Sequence, residues 1–273
     1  MHLSLTAWSF PRLTLTEFAG VAKAISMAAI DISSRHRTGI DKAEMLADPL
    51  LAASRVRALG LPVSNYFHHY GADALARNPA LPGSIDANLR DLEQVLTFAD
   101  AAGIPTVFFL AGAINAGQSR RDALEASVES LRAFMALQPG FKARICIEPA
   151  VRSSAESPDD AQELVDRTGV ALALDYSHFI CSGYTQQQVD PLVKHAAHVH
   201  LRQARPGQLQ APFDMGTLNF PAIFGALRDA GYGGALAIEF IYRAFTNAVP
   251  DDVMTETVLM RDCFNDWAAG GTG

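Results

Sequence analysis

The chain has 273 residues, of which 49% are apolar, so it is close to the usual length of one complete (β/α)8 barrel and can bury one large core. Its 29 acidic residues outnumber the 22 Lys and Arg residues, and the formal charge is −7. This balance argues against a nucleic-acid partner, because affinity for nucleic acids rests largely on cations that neutralise phosphates.

The cysteine spacing and the N-terminal residues bear on the cellular compartment of the protein. The 3 cysteines are widely spaced and show no CxxC or Cys/His zinc pattern, so neither a disulfide framework nor a structural zinc site is expected. The first residues lack the basic start and apolar run of a signal peptide, and no stretch approaches ~18 uninterrupted apolar residues. We therefore expect a cytoplasmic protein with no membrane span.

Short apolar runs alternate with amphipathic stretches along the whole chain. Strands that alternate with helical segments of this length indicate parallel βαβ units. Gly60, Gly103, Gly169 and Gly234 lie shortly before the third, fourth, sixth and eighth runs, where a helix must end and the chain must turn. No change in composition marks a second domain, so residues 1–273 are predicted to form one. The eight predicted strands are Leu3–Ala7, Ala28–Ser33, Leu61–Tyr66, Thr106–Leu110, Ala143–Glu148, Val170–Asp175, His198–Arg202 and Ala235–Phe240.

Eight βα units could close into a barrel or form an open doubly wound sheet. An open sheet binds its ligand at a switch point, which draws mainly on two neighbouring strands and often carries a Gly-rich phosphate motif after the first strand. Here no GxGxxG or GxxxxGK[ST] follows the first strand, and the candidate ligands are spread over four strands. The sequence therefore favours a single closed (β/α)8 barrel, the TIM-barrel fold.

Four polar residues near the ends of the last four strands share one parity. Side chains alternate between the two faces of a strand, and the large apolar residues of these strands have the parity that faces the helices. The other parity points into the barrel. It is shared by Glu148, Asp175, His200 and Glu239.

These four residues would converge on one volume. Buried carboxylates each cost several kcal/mol to desolvate, and a divalent cation compensates that cost. Three carboxylates with one imidazole favour Mn2+, Mg2+ or Co2+. A lone strand-end Glu is more often an exposed carboxylate, and a lone strand His is more often a hydrogen-bonded core residue, which is the interpretation kept for His198. The shared parity of all four favours the metal site.

The polar motifs of these strands resemble a known family. Glu148 on strand five, Asp-Tyr-Ser-His at 175–178, His-Val-His-Leu at 198–201 and Ile-Glu-Phe at 238–240 resemble the xylose isomerase-like barrel superfamily, which includes sugar isomerases, epimerases and AP endonuclease family 2. The resemblance covers nearly the whole chain and is nearest in ligand pattern to ketose 3-epimerases. It implies one divalent metal, with Mn2+ placed before Mg2+, Co2+ and Zn2+, held by these four ligands. It also implies that Glu148 and Glu239 are the catalytic pair that exchanges protons with the substrate.

The resemblance and strand parity also suggest substrate-binding residues. His178 matches the His of the family's DxxH and is expected to hydrogen-bond a substrate hydroxyl or a neighbouring carboxylate; the alternative is a polar residue at a helix start. Arg202 and Arg205 are candidates for binding a hydroxyl or an anionic group, and the alternative for Arg205 is a solvated loop charge. Three further candidates for the pocket wall, with core packing as the alternative, are His68, His69 and Trp8.

Two departures from the family pattern narrow the prediction. Residues 149–152 read Pro-Ala-Val-Arg, without the second glutamate that many epimerases carry shortly after the first, so recognition of the sugar end by that residue is not expected. Strand four ends in Phe-Phe-Leu, and residues 214–216 read Asp-Met-Gly, without the extra histidines of the three-metal AP endonuclease site. A DNA-repair activity is therefore not expected.

The sequence thus predicts a divalent-metal-dependent isomerase or epimerase of a sugar or related polyol-ketone, acting by proton transfer next to a metal-bound carbonyl. The alternative is a lyase on the same scaffold, such as a keto-cyclitol dehydratase or a 3-keto-glycoside eliminating enzyme. A metal-free binding barrel is a third interpretation. The expected partner is a small-molecule substrate, and a homo-oligomer is one option for the assembly.

Overall fold

The computed structural model describes residues 1–35, 37–241 and 252–270. Eight parallel strands follow one another in sequence order around a closed barrel, and the first strand pairs with the last. The predicted (β/α)8 TIM barrel is confirmed. The strands are β1 His2–Thr6, β2 Ala29–Ser33, β3 Val63–Phe67, β4 Thr106–Leu110, β5 Arg144–Glu148, β6 Ala171–Asp175, β7 Ala196–Leu201 and β8 Ala235–Ile238.

Helices connect the strands, and local sequence sets their ends. Thr14 and Ser119 each begin a helix with a capping box, in which side chain and backbone satisfy each other's hydrogen bonds. Gly103 and Gly169 end two helices in the left-handed conformation that glycine adopts without strain. The helices of the described residues are α1 Leu15–Ala24, α2 Lys42–Ala47, α3 Pro49–Arg57, α4 Ile85–Ala102, α5 Arg120–Met135, α6 Pro158–Thr168, α7 Tyr176–Cys181, α8 Gln186–Val189, α9 Phe220–Asp229 and α10 Val253–Ala268.

Some strand ends differ from the predicted ones for local reasons. β3 begins at Val63, two residues after the predicted start, because it follows Pro62, which has no N–H to donate to the ladder. β7 begins two residues early at Ala196, which pairs with Leu172 although the two alanines give only a weak apolar signal. β8 ends at Ile238, so Glu239 directly follows the strand.

The interior has two layers that follow the predicted parity. Apolar side chains such as Ile147, Leu174 and Val199 are fully buried between the sheet and the surrounding helices. Inside the barrel, the small side chains of Ala171 and Ala173 leave room for larger aromatic rings. No helix of the described residues has both the length and the apolar character needed to cross a membrane.

Candidate metal centre

The four predicted ligands lie together at the C-terminal mouth of the barrel. Glu148 ends β5, Asp175 ends β6, His200 lies in β7 and Glu239 follows β8. Each offers one donor atom, these atoms lie within 4.8 Å of one another, and all four residues are buried. The C-terminal ends of parallel strands meet at one face of a barrel. Inward-facing residues at the ends of these four strands are therefore expected to lie close together, as they do here.

His200 is held between two carboxylates. Its Nδ1 lies 2.7 Å from Oε1 of Glu148 and 3.5 Å from Oε2 of Glu239. Burial alone would lower the pKa of His200, but the nearby carboxylates, Glu239 first, hold this pKa well above its usual range. In the absence of a cation the carboxylates therefore favour the protonated form of the imidazole, whose positive charge would offset part of theirs.

Glu239 is the carboxyl group whose ionisation is most strongly opposed. Burial raises the pKa of Glu239 to about 7, and the neighbouring carboxylates of Glu148 and Asp175 add to this, against the lowering by Arg202 and His200. Trp8 follows β1, and its Nε1–H donates to Oε1 of Glu239 at 2.6 Å. This hydrogen bond fixes one carboxyl oxygen and leaves the other facing the ligand group.

Asp175 is tied down by two donors. Its Oδ1 accepts from the backbone N–H of Ser177 at the start of α7, at 2.8 Å. Nη2 of the buried Arg202 donates to Oδ2 at 2.6 Å and lies 3.5 Å from Oε2 of Glu239. Burial would raise the pKa of Asp175, but Arg202 and then His178 outweigh it, and the pKa falls to about 2. Arg202 thus adds positive charge directly beside two of the four ligands, and its role toward a substrate stays a prediction.

The residues present fit a divalent cation. Three carboxylates with one imidazole are a suitable donor set for such an ion. Oε2 of Glu239 is buried and has no hydrogen-bond donor among the described residues, so one ligand atom faces the group without a partner. The single guanidinium of Arg202 does not balance three carboxylates, and a cation bound at this point would supply the missing charge.

His178 lies at the edge of the same group. Its Nδ1 accepts from the backbone N–H of Val151 at 3.1 Å, so the proton of the neutral ring is on Nε2. Nε2 lies 3.7 Å from Oδ2 of Asp175 and 3.9 Å from Oε2 of Glu148. Burial lowers the pKa of His178 despite these carboxylates. The ring therefore presents a neutral N–H donor toward the site.

Aromatic side chains form the other wall of the site. The rings of Phe67 and Phe108 are stacked with centroids 4.2 Å apart, and Trp8 packs edge-on against Phe67. The Phe108 ring lies 5.0 Å from that of His200. His69 packs on Phe67 at 4.0 Å, on the same side of β3. The site is thus polar toward β5–β8 and apolar toward β1, β3 and β4.

Two predicted substrate-binding residues lie elsewhere. His68 has the opposite parity to Phe67, and its ring packs against Tyr66 and Tyr70, on the side of β3 that faces the helices. Arg205 lies in the loop after β7, where its Nε donates to Gln208 at 2.6 Å. The contacts of these two residues do not place them beside the four ligands, and a role in binding substrate stays a prediction for each.

One charged residue of the barrel interior, Asp31, is not among the residues predicted from the sequence. Asp31 lies in the middle of β2, is fully buried, and has Oδ2 at 2.6 Å from Nε2 of His198. Burial would raise the pKa of Asp31, but the imidazoles of His198 and His200 hold it far below its usual range. The available signal is that Asp31 is the one charged residue of β2, between the apolar residues Ile30 and Ile32.

The barrel and its site place the chain in a family. It belongs to the xylose isomerase-like TIM barrel family, whose model matches residues 21–261. A 2-oxo-tetronate isomerase of Haemophilus influenzae is 29% identical over 176 residues, which cover 61% of this chain and 67% of that protein.

Two solved structures share the fold over almost the whole chain. An AP endonuclease family 2 protein from Brucella melitensis has a TM-score of 0.73 at 19% identity, covering 96% of this chain and 98% of its own. An L-ribulose 3-epimerase has a TM-score of 0.73 at 17% identity, covering 97% of this chain and 94% of its own. At these identities the structural likeness shows the fold alone.

Proposed function

We propose that this protein is a divalent-metal-dependent isomerase or epimerase of a sugar or related hydroxy-ketone. The observation that carries the proposal is the convergence of Glu148, Asp175, His200 and Glu239 on one buried volume. The similarity to a 2-oxo-tetronate isomerase supports the same reaction class. Mn2+ is our first choice of cation, with Mg2+, Co2+ and Zn2+ as the others that this donor set accepts.

The proposed chemistry is proton transfer at the carbon next to a carbonyl. The bound cation would polarise the carbonyl and stabilise the negative charge that develops when the neighbouring C–H proton leaves. Glu239, whose pKa burial raises to about 7 before a cation binds, is the carboxylate that we assign to proton uptake from carbon. Glu148 is the second carboxylate of the pair, and His178 offers its Nε2–H to a substrate oxygen.

The charge of the loaded site is compatible with a substrate that carries an acid group. The ligand carboxylates contribute −3, a divalent cation would contribute +2 and Arg202 +1, so the loaded group would be neutral. A neutral group accepts one substrate anion with less repulsion than a site of net negative charge. Because the similarity to a 2-oxo-tetronate isomerase points to such a substrate, we place short hydroxy-keto acids of this type first within the proposed class, and neutral ketoses second. The acidic chain makes a nucleic-acid substrate a poor alternative.

The proposal is tested by turnover in heavy water with Mn2+. We would incubate the protein with 2-oxo-tetronate and, separately, with free ketoses, and analyse products by mass spectrometry and proton NMR. Proton exchange through the two glutamates predicts an isomer of unchanged skeleton with deuterium on the carbon next to the carbonyl. An unlabelled isomer would instead indicate a hydride shift, and a product that has lost water or a fragment would indicate the lyase.

A further inference from the structure

A second polar group lies beneath the candidate metal centre and has no part in the proposed chemistry. Oδ1 of Asp31 accepts from the hydroxyls of Ser4 at 2.6 Å and Ser64 at 2.5 Å. Oδ2 lies 2.6 Å from Nε2 of His198 and 3.8 Å from Nε2 of His200. All of these side chains are buried. The group is therefore an ordered arrangement around one carboxylate, directly behind a proposed metal ligand.

The hydroxyl contacts of Asp31 favour a positioning role over a second cation site. Asp31, His198 and His200 could in principle ligate an ion. Oδ2 of Asp31 lies 2.6 Å from Nε2 of His198, a close contact between a carboxylate and an imidazole. Asp31 also has its other oxygen filled by two hydroxyls, so it is already held in place without an ion.

His200 faces both groups with one ring nitrogen each. Nδ1 points to the ligand carboxylates, 2.7 Å from Glu148. Nε2 is buried, has no hydrogen-bond partner among the described residues, and has Asp31 as the carboxylate nearest to it. The ring of His198 stands edge-on to that of His200, with centroids 5.1 Å apart, and limits its rotation. A buried N–H without an acceptor is costly, so a small movement of the ring toward Asp31 is favoured once Nδ1 no longer contacts Glu148.

We propose that Asp31 is a positioning residue for His200. It keeps the proton on Nε2 and leaves the lone pair of Nδ1 for the cation. Carboxylates that accept from the remote nitrogen of a ligating histidine fix its tautomer and orientation and raise its basicity. Ser4, Ser64 and His198 hold the Asp31 carboxylate for this purpose. The inference rests on the proposed function only in requiring that the protein binds a divalent cation.

The first test measures Mn2+ affinity by competition with a fluorescent chelator. Asp31→Asn keeps the shape of the side chain but removes its charge, and we expect it to weaken Mn2+ binding by roughly 10–100-fold. Asp100→Asn is the matched control, since Asp100 also accepts hydrogen bonds, from the backbone of Lys142 and Ala143, but lies outside both groups. The Mn2+ affinity of Asp100→Asn should stay within about twofold of the wild-type value, which is the usual scatter for a distant substitution. A folded Asp31→Asn protein with wild-type affinity would overturn the inference.

The second test needs no change to Asp31 and can still refute the inference if that variant does not fold. In the Zn2+-loaded wild-type protein, 15N–1H correlation spectra of the imidazoles show which nitrogen of His200 carries the proton. The His200 signal is assigned by its absence from His200→Asn. We expect the proton on Nε2 and the ion on Nδ1; the reverse assignment would refute the positioning role. A wild-type protein that binds neither Mn2+ nor Zn2+ would refute the proposed function instead.

Discussion

At the scale of single residues, the environment of Glu239 suits both a ligand and a proton carrier. One oxygen accepts from Trp8, while the other faces His200 and Arg202 at 3.5 Å each. Burial among other carboxylates raises its pKa to about 7, so the protonated and ionised forms are close in free energy near neutral pH. Burial thus makes Glu239 a stronger base than an exposed carboxylate, whereas a bound cation would lower its pKa again.

We predict that Glu239→Gln abolishes most of the activity and keeps the fold. The amide has nearly the same shape and retains one oxygen, but it cannot take up a proton. Loss of a general base typically lowers the rate by ~10²–10⁴-fold, which initial rates with saturating Mn2+ would measure. Glu93→Gln, an exposed glutamate on α4, is the control and should keep wild-type turnover. Near-native turnover of Glu239→Gln would place the base on another residue.

The raised pKa values of Glu239 and His200 predict that metal binding depends on pH. Protons on Glu239 and His200 compete with the cation, and both pKa values are raised, that of Glu239 to about 7. Raising the pH from 6 to 8 removes the proton from Glu239, so Mn2+ should bind more tightly at pH 8, by about tenfold or more. Competition titrations at the two pH values measure this, and Glu239→Gln should show a smaller change. Equal wild-type affinities at pH 6 and pH 8 would contradict the prediction.

At the scale of elements, the two-residue period of a strand explains which parts of the site could be predicted from the sequence and which could not. The two-residue alternation is a property of the backbone, so it placed Glu148 and Asp175 inside the barrel without knowledge of any tertiary contact. The pairing of Asp31 with His198 joins β2 to β7 and depends on how the barrel closes, which no local pattern contains. His68 and His69 lie past the predicted end of β3, which the structure extends to Phe67. The ring contacts then show that the two histidines face opposite sides, His69 against Phe67 and His68 against Tyr70.

A glycine in the loop between β4 and α5 gives a prediction at this scale. Gly112 has φ of +123°, and a Cβ added there would lie 2.5 Å from Ser127 Oγ on α5 and 2.8 Å from Cβ of Ala80. Gly112→Ala therefore combines backbone strain with a clash, and we expect it to lower the free energy of unfolding by roughly 2 kcal/mol or more.

Urea unfolding measures that loss, with Gly140→Ala as the control. Gly140 has no atom within 4 Å of an added Cβ and no positive φ, so alanine should change the free energy of unfolding by only about half a kcal/mol. An unchanged midpoint for Gly112→Ala would show that the contact between this loop and α5 yields easily.

At the scale of the whole molecule, barrel closure and the site both bring together residues that are far apart in sequence. β1 pairs with β8, and the ligands come from four successive strands, β5 to β8. One cation would therefore bind groups more than 90 residues apart in sequence, from Glu148 to Glu239. In the unfolded chain these groups are separated, so binding free energy becomes folding free energy. The cation should act on the stability of the entire barrel.

We predict that Mn2+ raises the melting temperature of the wild-type protein and not that of His200→Ala. A ligand at 100 times its Kd adds about 2.7 kcal/mol, which corresponds to roughly 5 °C or more for a chain of this size. His195→Ala is the matched control: this histidine precedes β7, and its Nε2 contacts Gln162 on α6, so its variant should keep the full Mn2+-dependent increase. Comparing each protein with and without Mn2+ cancels the direct effect of the substitution on stability. An increase of the same size in His200→Ala would mean that Mn2+ stabilises the barrel from another place, and the candidate metal centre would lose its assignment.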